Sequence, residues 1–288
     1  MRSPRCAHEV AIAGDDLFVL GGADGDGVSG SVETRKVTGD GEWRPAAAMP
    51  TPRRHHAAGV ADGLVHAVAG ITPDGRATDV VEVYDPGADE WRPGPPLPAP
   101  LAAPAAAGLG GRLYVAGGFT GEHATDAVLV LDPDGEHWSP VAPMPTPRAR
   151  FRLVATETHL YAIGGSPGRR RNALASVERY DPDTGTWEPV APMHKHRDAP
   201  GAALAGHRIV VVGGAPSPAT DPAARDGTTE VLDTRTGEWV LTATLLPGGR
   251  SGLACAATSA YRVLAIGGTA GHHGQSEALP DVRSLKLP

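Results

Sequence analysis

The sequence predicts an all-β fold of six radially arranged blades, a β-propeller, and three observations carry the prediction. A glycine pair recurs as Gly21-Gly22, Ala69-Gly70, Gly117-Gly118, Gly164-Gly165, Gly213-Gly214 and Gly267-Gly268, 47 to 54 residues apart. Each pair closes a short apolar run: LFVLGG, VHAVAG, LYVAGG, LYAIGG, IVVVGG, VLAIGG. All five tryptophans (Trp43, Trp91, Trp138, Trp187 and Trp239) stand in the same phase behind it. A repeat near 50 residues with strand-like runs and no helical period is one four-stranded sheet that cannot bury its own faces, so its neighbours must cover them.

The third repeat shows the parts in order. PLAAPAAAGLG is strand a, RLYVAGG strand b, DAVLVLDPDG strand c and HWSPVAPM strand d, with Gly, Pro and Asp turn chemistry between them. The glycines end strand b, where a chain turning near the axis needs free dihedrals or close backbone approach. The tryptophans become apolar wedges on strand d. Blades are expected at about 5–51, 52–99, 100–147, 148–195, 196–248 and 249–288, filling the chain as a single domain. The sixth repeat offers strand a (SGLACAATS), strand b (YRVLAIGG) and strand c (VRSLKL) but no tryptophan strand, and is expected to be three-stranded. Its outer strand carries Arg283 and Lys286, charges that discourage edge pairing.

A net charge of −7 and a pI near 5.9 leave no electrostatic footprint for nucleic acid. No apolar stretch approaches spanning length and MRSPRCAHEV has no signal-like core, so a cytoplasmic protein is expected, with no membrane partner. Cys6 and Cys255 are the only cysteines and sit at different depths of strand a, roughly 13 Å apart by strand rise. They read as two free, shielded thiols.

These residues resemble the kelch family, whose repeat runs from an arginine opening strand a, through a double glycine, to Tyr-Asp-Pro and a Trp. Here that reads Arg148, Gly164-Gly165, Tyr180-Asp181-Pro182 and Trp187, and again Tyr84-Asp85-Pro86 with Trp91. The resemblance implies a six-bladed kelch-type β-propeller and is nearly silent on function, since the family holds enzymes, adaptors and structural proteins. Ala, Gly, Pro and Arg richness points to a GC-rich bacterial gene. Stand-alone bacterial members include sugar mutarotases and condensing or cyclising enzymes of biosynthesis.

Function is sought where the repeats differ. The strand a openings are RCAHEV, RRHHAA, PLAAPA, RARFRL, HRDAPG and RSGLAC. Arg5, Arg53, Arg148, Arg197 and Arg250 recur and are read as scaffold. The extras do not recur: His55, His56, Arg150, Arg152, His196 and Asp198, with His8 and Glu9 in the first blade. Arg150 stands two positions after the recurring arginine, where peptide-binding kelch adaptors place a ligand arginine. Leu101, Ala102 and Ala103 make one side of the mouth small and apolar. The loops after the glycines add Glu122 and His123, Arg169 to Arg171, Arg225 and Asp226, and His272, His273 and Glu277, with Phe119 as an aromatic wall.

No cofactor is expected. Ferrous kelch enzymes carry Glu-x3-Asp-x3-His, and the nearest match here, Glu277, Asp281 and Leu285, lacks the imidazole. The tyrosines fall at repeat-phased positions, no histidine set makes a full ligand shell by spacing, and the glycine pairs are blade signals rather than nucleotide loops. The expectation is a cofactor-independent acid–base enzyme acting on a small organic molecule, carboxylated or aromatic, by Pictet-Spengler-type condensation or cyclisation or by sugar mutarotation. Asp198, His196, His55, His56 and Glu122 are the catalytic candidates. Arg150, Arg152, Phe119, His123, Arg169 and Leu101 are the binding candidates. The alternative is an interaction module that reads an acidic peptide through Arg150 and the Arg169 to Arg171 loop. A monomer, or a weak homodimer through the sixth-blade edge, is expected.

Overall fold

A computed structural model describes residues 1–39, 41–168, 172–216, 225–242, 246, 248–270 and 277–287. The apolar runs before the glycines form strand b of six antiparallel sheets, each flanked by strand a on the axis side and strand c outside. The third blade is representative: Ala105–Leu109, Arg112–Ala116, Val128–Leu131 and Trp138–Val141 in the order a-b-c-d. The first, second, fourth and fifth blades repeat it with strands a at Glu9–Ala13, Ala57–Ala61, Arg152–Ala155 and Gly201–Ala205. Among the described residues the sixth has three strands, Ala254–Ser259, Arg262–Ile266 and Val282–Lys286, as the sequence predicts. Two short hairpins, Ala23–Asp24 with Gly27–Val28 and Thr269–Ala270 with Glu277–Ala278, decorate the loops after the glycines.

Strands a and b alternate small and large side chains because both faces of each blade press on a neighbour. Phe18 and Leu20 of the first blade meet Val65 and Tyr84 of the second, and Tyr114 of the third meets Phe151 and Tyr180 of the fourth. The glycine pair permits this approach near the axis. A Cβ on Gly117, whose φ is +61°, would stand 2.2 Å from the Arg148 carbonyl oxygen of the next blade.

The recurring arginines are buried struts. Arg148 donates to the carbonyls of Gly164 at 2.9 Å and Ser176 at 3.2 Å and pairs with Glu178 at 3.0 Å. Arg5 with Glu33, Arg53 with Glu82 and Arg197 with Glu230 do the same in their blades, tying strand a to strands b and c. The glutamate is the second residue of each of these strands c; in the sixth blade Arg283 stands there and Arg250 pairs with Asp281 instead, at 2.6 Å. The third blade, opening on Pro100, has no such strut.

The tryptophans are hydrogen-bonding clamps as well as wedges. The indole N–H of Trp91, Trp138, Trp187 and Trp239 donates to Ala47, Pro95, Ala142 and Ala191 of the preceding blade at 2.7–2.9 Å. Trp43 departs from the expectation of an outer-strand residue: it lies just before strand d, Arg44–Ala46, with the Arg35 guanidinium over its ring at 5.7 Å.

Candidate functional site

Each strand a opening is a short staircase descending the axis, and its steps have different fates. Directly after the arginine, or after Leu101 in the third blade, come Cys6, Arg54, Ala102, Ala149, Asp198 and Ser251, which pair with the residue after the glycines through isolated bridges. One step down, Ala7, His55, Ala103, Arg150, Ala199 and Gly252 all take positive φ, from 50° to 62°. Their backbones close a ring around the axis: Ala7 N–H donates to Gly252, Gly252 to Ala199, Ala199 to Arg150, Arg150 to Ala103, Ala103 to His55, and His55 back to Ala7, at 2.8–3.1 Å. The left-handed conformation costs a non-glycine residue about 1–2 kcal/mol. Six mutually supporting hydrogen bonds hold it in place.

The third step packs beneath the glycines. His56 reaches toward Gly21, Phe151 toward Gly117, Leu253 toward Gly213 and His8 toward Gly267. His56 is therefore a buried filler in the place of a phenylalanine, with neither ring nitrogen hydrogen-bonded. Burial first, then the nearby Arg53, holds it well below the ordinary histidine pKa. The sequence expectation of a catalytic His56 is corrected by this position: it does not face the mouth.

The fourth step holds Glu9 and Arg152, which meet across the axis from opposite blades. Arg152 Nη1 contacts both Glu9 carboxylate oxygens at 2.6 Å, while Nε and Nη2 donate to the Pro200 and Leu253 carbonyls at 2.8 and 2.7 Å. All of its donor nitrogens are thus used inside the protein. Arg152 acts as a crossbar rather than a ligand arm, and beneath it a chamber of about 100 Å³ is walled by alanines and Cys255, whose thiol burial pushes up to about 12.

Above the ring opens the mouth, a cavity of about 300 Å³ lined by Cys6, Arg54, His55, Arg150, Asp198, Arg225, Ser251 and Thr269, with Ala7, Ala199, Ala215 and Gly252 as floor. The structure brings three sequence candidates together here. Arg150 Nε donates to Asp198 Oδ1 and Oδ2 at 2.9 and 3.0 Å, and its guanidinium stacks on Phe119 at 4.9 Å from the ring centroid. Asp198 is 2% exposed and its carboxylate is committed to that pair. The His55 imidazole is held down to about pH 4, by burial first and then by Arg54, Arg150 and Arg152, so it is neutral at pH 7.

Other candidates lie elsewhere. His196 is exposed, in the place Pro52 and Pro147 take in other blades, and does not line the cavity. Glu122 is exposed and His123 bridges Gly168 through its backbone; neither lines the cavity. Phe119 is buried behind Arg150 rather than forming a wall, and Leu101 is buried against Thr78, leaving only Ala103 of the apolar stretch at the ring. Arg169, Arg170, Arg171, His272 and His273 lie outside the described residues. Of the nearest iron pattern, Asp281 is engaged by Arg250 and Arg283. Among the described residues no group of three His, Cys, Asp or Glu side chains is placed to share a metal ion.

Sequence reasoning missed Arg54. Its side-chain Nε is buried at the mouth without a hydrogen-bond partner. The signal was the doubled Arg53-Arg54, where every other blade that has the recurring arginine carries it singly.

A family profile described as Kelch motif matches residues 52–98, 100–145 and 147–194, the second, third and fourth blades. No curated protein matches the sequence. Many solved structures share the fold. One titled "Structure of YjhT" superposes with a TM-score of 0.85 over 100% of this chain and 96% of that chain, at 17% identity, a likeness of fold alone.

Proposed function

The chain is a kelch-repeat β-propeller, and on that premise we propose that it is a small-molecule enzyme whose loop-face mouth takes a carboxylated polyhydroxy compound and moves a proton on it without a cofactor. The observation that carries this reading is the buried, unpartnered Arg54 Nε beside a neutral imidazole, in a cavity at the small end of ligand-site volumes. A buried donor without an acceptor is costly, and a carboxylate is the group that satisfies a guanidinium fork.

The fixed Arg150–Asp198 pair contributes one positive and one negative charge, so Arg54 leaves the mouth cationic. An arriving anion offsets the arginine charges that, after burial, lower the His55 pKa, and so raises its basicity. The imidazole then accepts a hydroxyl proton as the hemiacetal C–O bond breaks, a guanidinium stabilises the departing oxygen, and the proton returns on reclosure. Isomerisation of this kind fits better than condensation on an aromatic partner, because Phe119 is buried and among the described residues no Phe, Tyr or Trp side chain lines the cavity.

The test is a titration of histidine-labelled protein with glucuronate, indole-3-acetate and an acidic peptide, read by NMR. Glucuronate is expected to move the His55 resonances and raise its pKa, with binding weakened in Arg54→Met. Preferential binding of the acidic peptide would favour the interaction-module alternative, and no response at His55 to any probe would overturn the site.

A further inference from the structure

The internal repeat identifies a position on the sixth blade that the five complete blades fill and this one leaves open. In those five, the N–H of Met49, Leu97, Met144, Met193 and Leu246, the residue where the chain has just left strand d, donates to Gly30, Asp79, Asp126, Ala175 and Gly227 at 2.8–3.1 Å. Each acceptor lies two residues before strand c. In the sixth blade the Met1 amino group makes that bond, to Pro280 at 3.2 Å, two residues before Val282. Met1 Cε faces Gly267 as Met49 Cε faces Gly21 and Met144 Cε faces Gly117.

The outer edge of Val282–Lys286 has no paired strand among the described residues. Trp43 makes none of the indole bonds of its four counterparts, whose acceptors lie two residues before Met49, Leu97, Met144 and Met193 on the preceding blade. On the neighbouring fifth blade Val240, on the face of its outer strand opposite to Trp239, is a large apolar side chain left exposed toward the sixth blade. Backbone edge, indole donor and apolar side chain lie along the line a fourth strand would occupy.

We propose that this edge docks an extended segment of a partner protein, of the order acidic residue, Trp, any residue, Pro, by strand addition antiparallel to Val282–Lys286. The register fixes the chemistry. Trp91, Trp138, Trp187 and Trp239 stand opposite the fourth residue of strand c, which here is Leu285. Pro93, Pro140 and Pro189 stand opposite the second, here Arg283, and proline suits an outermost strand whose far side faces water. The residue before Trp91 or Trp187 stands opposite the fifth residue, here Lys286, which shares its face with its cross-strand partner Arg262, so an acidic residue is matched there. Main-chain pairing supplies affinity and the tryptophan pocket supplies specificity.

The probe is the capped peptide Glu-Trp-Glu-Pro-Val-Ala-Pro, which follows the fourth blade's outer strand with a leading acid, used at millimolar concentration. Hydrogen exchange at 282–286 is expected to slow at least about tenfold, and the Trp43 indole N–H to shift as it meets the Ala carbonyl; the peptide with Ala for Trp is expected to do neither. The same segment is also joined ahead of Met1, in register, to raise its effective concentration. Protection only in the joined form overturns the partner in favour of a strand tethered in cis, and protection in neither form overturns the docking edge.

Discussion

Arg53 and Arg54 are chain neighbours with opposite roles, and replacing each by methionine separates scaffold from site. The Arg53 side chain is 0% exposed; it donates to Thr51, Ala69 and Val80 carbonyls and pairs with Glu82. Arg53→Met leaves Glu82 a buried carboxylate without its cation, a loss of about 3–5 kcal/mol. For a chain of this size that lowers Tm by roughly 6 °C or more. Arg54→Met removes a guanidinium whose Nε has no partner, so nothing is orphaned and Tm is expected to hold or rise. Binding behaves the other way. A charge-assisted hydrogen bond contributes about 1.5–3 kcal/mol, so Arg54→Met is expected to weaken glucuronate about ten- to a hundredfold. Circular-dichroism melts and calorimetric titration read the two quantities. If Arg54→Met melts as early as Arg53→Met, or binds the probe at the wild-type Kd, the assignment of Arg54 as the ligand cation is refuted.

Acid should act through the buried histidines. His8 is held down to about pH 3 and His55 to about 4, chiefly by burial, and His56 lower than its ordinary value as well, so the unfolded chain binds protons the folded one refuses. Stability is therefore expected to fall as pH drops below 6.5 toward 3, and His56→Phe, matching Phe151, to flatten that fall in urea titrations. Ala103→Val puts a branched side chain at φ +55° and is expected to cost about 1–2 kcal/mol or more, whereas Ala103→Gly is tolerated, both read from Tm. Arg152→Met leaves Glu9 unpaired on the axis and is expected to lower Tm by several degrees, while Glu9→Gln with Arg152→Met together recovers part of that loss.

The fold was legible because its signals recur: one glycine pair or one tryptophan is ambiguous, but a phased set is not. The strut glutamates were equally regular, as Val32-Glu33, Val81-Glu82 and Val177-Glu178, yet a polar residue opening a strand draws no attention until its buried partner is visible. The site was legible only in part, since a strand opening changes direction at every residue. His55 and His56 are adjacent, and the positive φ of His55 leaves one at the mouth and sends the other under the glycines of the first blade. Asp198 and Arg150, 48 residues apart in sequence, meet because they occupy successive steps on adjoining blades. The ring itself had no signature: Ala7, Ala103, Ala199 and Gly252 share only smallness, and their hydrogen bonds are all main chain.

The ring and the crossbar together make the mouth one-sided. Every N–H and C=O of the six-residue ring that could face the axis is used between blades, so the ring offers a ligand no backbone donors and only its side chains differentiate the opening. Directly beneath, Arg152 spans to Glu9 and divides the upper constriction from the alanine-walled channel lined by Ala58, Ala106 and Ala202. A molecule entering from the loop face meets charge at once and a closed floor after it; one entering from the opposite face meets alanine and the closed crossbar. The side chains lining the mouth therefore come from the first two steps of the strand a openings, joined by Ala215, Arg225 and Thr269 from the loops after the glycines. There the blades differ most, with Arg54, His55, Arg150 and Asp198 set among Cys6, alanines, glycine and serine.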